Sequence, residues 1–204
     1  MPQAEAREDS AKRRQIIDGA RTVFLADGFD GASMNDIARV AGVSKGTLYV
    51  YFTSKEELFA ALIREEKQAQ AERLCQFAQS GTDLRTTLIG FGSQLLELML
   101  RPDSIAQFRI VVAAGAKFPA IGDAFYEAGP AHGRRRLAQF LDEKVAAGLL
   151  AIPDTETAAA QFLDLCKSAH MLRAVLGVGA APSRPEIEAH VTQAVGLFMK
   201  AYAP

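Results

Sequence analysis

Cysteine is scarce. Cys75 and Cys166 are too few for a disulfide framework, and both are expected as free thiols of a reducing compartment. Long apolar runs are missing as well. The longest, Ile110–Ala116, Val145–Pro153 and Ala174–Pro182, fall far short of the ~18 residues a membrane-spanning helix needs. Met1–Ser10 is polar and acidic, which speaks against a secretory signal peptide and makes the cytoplasm the expected location, with no membrane partner. No alternating run bounded by turn signals suggests a strand. His132, His170 and His190 are widely separated, as are the two cysteines, so no zinc spacing is present and no metal is expected. A nucleophile elbow, a glycine-rich phosphate loop and a paired-carboxylate motif are all absent. An enzyme with its active site in a helical body is therefore a remote alternative, and no cofactor is expected. A net charge of −1 gives no overall sign of a polyanionic partner.

What is present is ordinary in bulk and informative in pattern. The 204 residues, 49% hydrophobic and 23% charged, suit one large domain or two small ones that hide about 70% of the unfolded surface. Charge is unevenly spread. From Ser10 to Lys55 seven basic residues stand against four acidic ones, whereas from Glu56 onward fifteen stand against seventeen. A mildly basic head on a mildly acidic body hints at a polyanion.

Helix is the dominant period. Ile16, Ala20, Val23 and Phe24 share one face of a first helix that stops at Asp27-Gly28, where glycine can take a left-handed cap. Ser33 with Asp36 predicts a capped second helix over roughly Met34–Ala41, ending at Gly42. Ser44 caps a third, roughly Lys45–Tyr51, and Ser54 with Glu57 opens a long fourth to about Gln79. Further stretches follow near Asp83–Leu100, Asp103–Ala116, Pro119–Gly148, Asp154–Gly177 and Ser183–Ala203, separated by Gly- and Pro-containing turns. Gly129-Pro130 predicts a kink inside its block, not a domain boundary. The expected fold is all-α, with about nine helices.

The informative stretch is Ser33–Lys55. Two short helices are joined by Ala41-Gly42-Val43-Ser44, with Ala38 four residues before Gly42 and Leu48 six after it. A helix-turn-helix needs a small residue where its helices cross, hence Ala38, and a tight turn free of a Cβ clash, hence Gly42. Ile37, Val43 and Leu48 fill the angle. Lys45, Gly46, Thr47, Tyr49, Val50 and Tyr51 are left outward, on a helix that fits the major groove N-terminus first. Val50 offers no hydrogen bond and is either a packing residue or a contact for a thymine methyl. Lys12, Arg13 and Arg14 form either a solvated helix end or an arm reaching the adjacent DNA.

The run from Ala41 to Phe52, followed by Ser54-Lys55-Glu56-Glu57-Leu58, resembles the DNA-binding signature of the TetR family of bacterial transcriptional regulators, with the likeness extending from about Arg13 to Ala61. Phe108–Leu149, with Phe118-Pro119 and the stretch Ala124 to Pro130, is similar to the AefR-like branch. The resemblance implies a helix-turn-helix DNA-binding domain over residues 1–55 and a helical ligand-binding and dimerisation domain over 56–204. It implies base contacts from Lys45, Gly46 and Tyr49, and phosphate contacts from Thr47, Tyr51 and Lys55. Ser33 and Asn35 are further phosphate candidates, and the capping Ser44 joins the set. Hydroxyls at helix starts suit that role.

For the body of the chain, the last two helical stretches form a hairpin able to pair with a copy of itself. Phe162, Leu165, Ala169, Leu172, Val191, Val195 and Phe198 are the expected interface. The other possibility is a hairpin that completes the core of one protomer. The resemblance also implies a small-molecule effector among the middle helices, with Phe91, Gln94, Phe108, Arg109, Val112, Phe125, Cys166 and His170 as candidates, although an aromatic stripe at helical spacing also reads as plain core. The expected function is a homodimeric regulator of double-stranded DNA, a repressor released from a palindromic operator by its effector. The alternative is a helix-turn-helix dimer that senses no ligand and acts through a protein partner.

Overall fold

The computed structural model describes residues 2–77 and 83–204, without the side chains of residues 2–8, 73 and 75–77. The expected end of the fourth helix at Gln79 and the side chain of Cys75 lie outside the described residues. Among those residues the chain is all-α. Eleven α-helices run in order: α1 (Pro2–Gly31), α2 (Met34–Ala41), α3 (Lys45–Tyr51), α4 (Lys55–Phe77), α5 (Leu84–Met99), α6 (Pro102–Gly115), α7 (Pro119–Tyr126), α8 (His132–Ala146), α9 (Thr155–Lys167), α10 (His170–Leu176) and α11 (Arg184–Ala201). None is long and apolar enough to cross a membrane.

Two breaks account for the excess over nine. The stretch from Pro119 is interrupted by a π-helical turn, Glu127–Ala131, that holds Pro130. Proline has no N–H to give and its ring crowds the carbonyl one turn back, so the helix widens there. The stretch from Asp154 is interrupted at Ala169, which takes φ 65, a left-handed value that L side chains disfavour.

The chain folds into two compact units. One comprises the residues up to Lys67 together with Ala106–Ala128, the other Gln68–Ile105 with Gly129–Pro204. The helix-turn-helix therefore shares its unit with the first half of α4 and with 106–128. The bend at Gly129-Pro130 is present, but a unit also changes there. Local signals explain the bend, whereas the unit depends on which distant residues pack together.

In the first unit, Ile16, Ile17, Ala20, Val23 and Phe24 of α1 bury against Ile37, Leu48, Leu58, Phe59 and Leu62. Phe24 meets Phe59 edge-on at 4.6 Å, and Phe29 packs on both Phe59 and Phe118. Gly28, at φ 70 and ψ −179, is the one non-helical residue inside α1. Only glycine reaches that region readily, so the helix turns where the sequence indicates. Glu66 of α4 receives bonds from Arg21 of α1 and Gln107 of α6.

In the second unit, α5 packs on α9 and α11 around Phe162, Phe198, Val191 and Cys166. Phe162 and Phe198 meet edge-on at 5.2 Å. Gly92 sits where these helices approach. A Cβ there would stand 2.7 Å from Val191 Cγ1 and 2.9 Å from Cys166 Sγ. Asp83, Asp154 and the Ser183–Glu186 box cap α5, α9 and α11.

Candidate nucleic-acid interface

The segment α2–turn–α3 is held by its caps. Ser33 Oγ accepts the Asp36 amide at 3.1 Å, and the Ser33 hydroxyl, followed by Arg39, holds the Asp36 carboxyl below the usual carboxylate range. Gly42, at φ 65, closes α2 in the left-handed conformation and its N–H reaches the Ala38 and Arg39 carbonyls. Ser44 Oγ accepts the Thr47 amide at 3.0 Å and shares a 2.8 Å hydrogen bond with the Thr47 hydroxyl. At the start of α4, Ser54 Oγ accepts the Glu57 amide, while the Glu57 carboxylate reaches back to the Thr53 amide and hydroxyl.

These caps leave α3 with two distinct sides. Leu48 is buried in the core. Thr47 and Tyr51 are half-buried, with Tyr51 packed on the core. Lys45, Gly46, Tyr49 and Val50 are exposed, Val50 at 82%. The Lys45 ammonium lies 6.0 Å from the Tyr49 ring centroid. At Gly46 the nearest atom to an added Cβ would be Ser44 Oγ at 3.8 Å, an ordinary contact. The fold itself therefore does not require a glycine there. Asn35 is exposed and Ser33 half-buried at the start of α2.

Lys55, for which the resemblance implies a phosphate-holding role, is engaged within the fold. Its ammonium donates to the Phe29 carbonyl at 2.7 Å and the Ala32 carbonyl at 2.9 Å, and lies 4.6 Å from the Phe29 ring centroid. That commits two of its three donors to closing the turn after α1. Arg13, one of the three basic residues at the start of the first helix, is likewise engaged within the fold. It pairs with Glu65 and stands 5.3 Å over the Phe52 ring.

Sequence reasoning missed two groups that set the α1–α2 approach. A Cβ on Gly19 would fall within 3 Å of three atoms of Ala41. Gln15 Nε2 donates to the Ala41 carbonyl at 2.6 Å. The available signal was a glycine inside an otherwise helical pattern, which costs about 1 kcal/mol against alanine unless close packing requires it.

The interface candidates divide by burial. Phe162, Val191, Val195 and Phe198 are sealed in the core of their own unit and offer no surface to a partner. These helices carry two apolar stripes, and the four belong to the inner one. Leu165 is half-buried and Ala169 exposed. Leu172, Leu176 and Leu197 are exposed at 67%, 66% and 60%. Of the pocket candidates, Phe91 and Cys166 are core residues, and burial pushes the Cys166 thiol up to about 12. Gln94 is exposed and His170 half-buried in the same unit. In the other unit Arg109 and Val112 are exposed, and Phe108 lies 5.6 Å from Phe125 between ring centroids. Among the described residues no group of three or more His, Cys, Asp or Glu could hold a metal.

Residues 86–204 match the family model described as the AefR-like transcriptional repressor C-terminal domain, and residues 16–62 match that of bacterial regulatory proteins of the tetR family. The chain belongs to the TetR family. It is 38% identical to the flavonoid-responsive regulator FrrA, a likeness that covers 96% of this chain and 98% of that one with a TM-score of 0.80. A TetR transcriptional regulator from Agrobacterium tumefaciens is 26% identical, with 94% of both chains covered and a TM-score of 0.73. The HTH-type transcriptional repressor AcnR of Corynebacterium diphtheriae is 38% identical over 72 residues, 35% of this chain and 38% of that protein. The match thus spans less than two fifths of the curated relative's length. As a TetR-family member the chain is a transcriptional regulator.

Proposed function

We propose that this TetR-family chain is a homodimeric transcriptional repressor that binds a palindromic operator through α3 and is released by a small-molecule effector. The observation that carries this reading is the outward side of α3. Lys45, Gly46, Tyr49 and Val50 are firmly positioned by caps on both sides, yet the fold uses none of the four in its core. A side so positioned and so little used suits base edges in the major groove, and Thr47, Ser44, Ser33 and Asn35 are the phosphate candidates beside it in this reading. One such short helix reads few base pairs, so two copies ~34–36 Å apart are needed for an operator. The exposed leucines 172, 176 and 197 are the partner-facing residues in this reading, together with Leu165 and Ala169.

Release follows if the effector binds the dimer better at a spacing that no longer fits the groove. FrrA is flavonoid-responsive by name, which makes a flavonoid series the first probe. The test is a gel shift of the full chain on DNA flanking its own reading frame at ~50 mM salt, where phosphate contacts are strongest, with and without each flavonoid. A retarded band that a flavonoid removes is the expected result. No retarded band on any fragment would refute the DNA-binding reading. Thermal stabilisation by none of the compounds would refute the flavonoid reading alone.

A further inference from the structure

Val50 is the most exposed large hydrophobic side chain among the described residues. Nothing in the fold accounts for it. A β-branched residue is a poor filler for an exposed helix site because it loses rotamer freedom there. Its isopropyl group also keeps apolar surface in water.

Its surroundings are specific. Gly46 lies one turn before it on the same side of α3 and carries no side chain, so the Val50 methyls stand beside bare backbone. Lys45 and Tyr49 flank that side, and α3 contains no carboxylate. The outward surface therefore offers one cation, one phenol and one isopropyl. In the major groove, base edges differ in their donors and acceptors, and the apolar mark among them is the C5 methyl of thymine. A side chain with no hydrogen-bonding group can discriminate there by packing on that methyl.

We propose that Val50 is a specificity-determining residue whose isopropyl group packs on the 5-methyl of one thymine in each half-site. The inference rests on the DNA-binding reading above and goes beyond it by naming what this position reads.

The test starts from a duplex selected from random DNA by the full-length protein. Each thymine of that duplex is then replaced by deoxyuridine, which removes the methyl alone. One thymine per half-site is expected to weaken binding about fourfold when its methyl is lost, the effect of removing roughly one buried methyl-sized group. Val50→Ala should bind the thymine duplex weaker by a similar factor and no longer distinguish it from the deoxyuridine duplex. Val50→Thr, which keeps one methyl, should retain part of the difference. The unfolding midpoint of Val50→Ala should not fall, which separates the effect from folding. Three results would overturn the proposal: no thymine sensitive to methyl loss, the same sensitivity retained in Val50→Ala, or uniform weakening on all duplexes. If no duplex can be selected at all, the DNA-binding reading itself fails. A selected duplex without a sensitive thymine removes only the role of Val50.

Discussion

A methyl group on Gly19 would stand 2.6 Å from the Cβ of Ala41 and 2.7 Å from its Cα. The first helix thus lies directly on the backbone of the second, near the turn that aims α3. Gly19→Ala should cost about 1–3 kcal/mol, the usual cost of overpacking, seen as a lower unfolding midpoint together with weaker DNA binding. Adding Ala41→Gly should not restore either, because the Ala41 Cα and N also obstruct. Full recovery in the double variant would show that the contact is side chain alone.

Gly46 separates folding from function. Alanine there meets no atom closer than 3.8 Å, and replacing an exposed helical glycine with alanine stabilises by up to about 1 kcal/mol. Gly46→Ala should therefore unfold at a higher temperature and bind DNA less well. Unchanged affinity would mean that nothing approaches this backbone.

The two lysines of the motif should part company. Lys45→Ala should leave the unfolding midpoint in place and lower DNA affinity by roughly 1–3 kcal/mol if it reads a base. Lys55→Ala should lower stability by about 1–3 kcal/mol, since two carbonyls lose their donor. It should also leave the salt dependence of binding unchanged. A salt slope lower by about one in Lys55→Ala would return that residue to the phosphate.

Neighbours on α11 should have opposite phenotypes. Leu197 is exposed and Phe198 is buried. Leu197→Glu should convert dimers to folded monomers in sedimentation. Phe198→Ala should leave assembly geometry alone and lower stability by about 3–5 kcal/mol through the cavity it creates.

Acid should weaken the second unit through His170. Burial, then His190 and Arg173, hold its pKa below the ordinary 6.5, against a smaller opposing pull from Glu186. The His170 and His190 rings meet edge-on at 4.7 Å. A depressed folded value means that the contribution is complete above pH 6.5 and is lost as pH falls through the folded value. The unfolding midpoint should drop below pH 6.5, and His170→Gln should flatten that drop. An identical pH profile for the variant would assign the loss to other groups.

The helix-turn-helix was legible because everything that shapes it is local: Ser33 with Asp36, Gly42, Ser44 with Thr47, and the buried Leu48 all act within a few residues. Features that depend on distant neighbours were not. Gly19 looks like any helical glycine until Ala41 is placed against it. Lys55 carries no mark of the carbonyls 23 and 26 residues before it. Ala169 gives no residue-type signal for its positive φ, so the division of α9 from α10 is invisible in the sequence. The Phe162 and Val191 stripe was visible as apolar, but periodicity alone does not say which of two apolar stripes a protomer keeps for itself.

The notch at Gly92 has a mechanical consequence. Val191 of α11 and Cys166 of α9 are seated in it, each closer to the Gly92 backbone than any side chain there would allow. A side chain at position 92 would wedge the three helices apart, so the tightness of this unit's core depends on a residue that contributes no side chain to it.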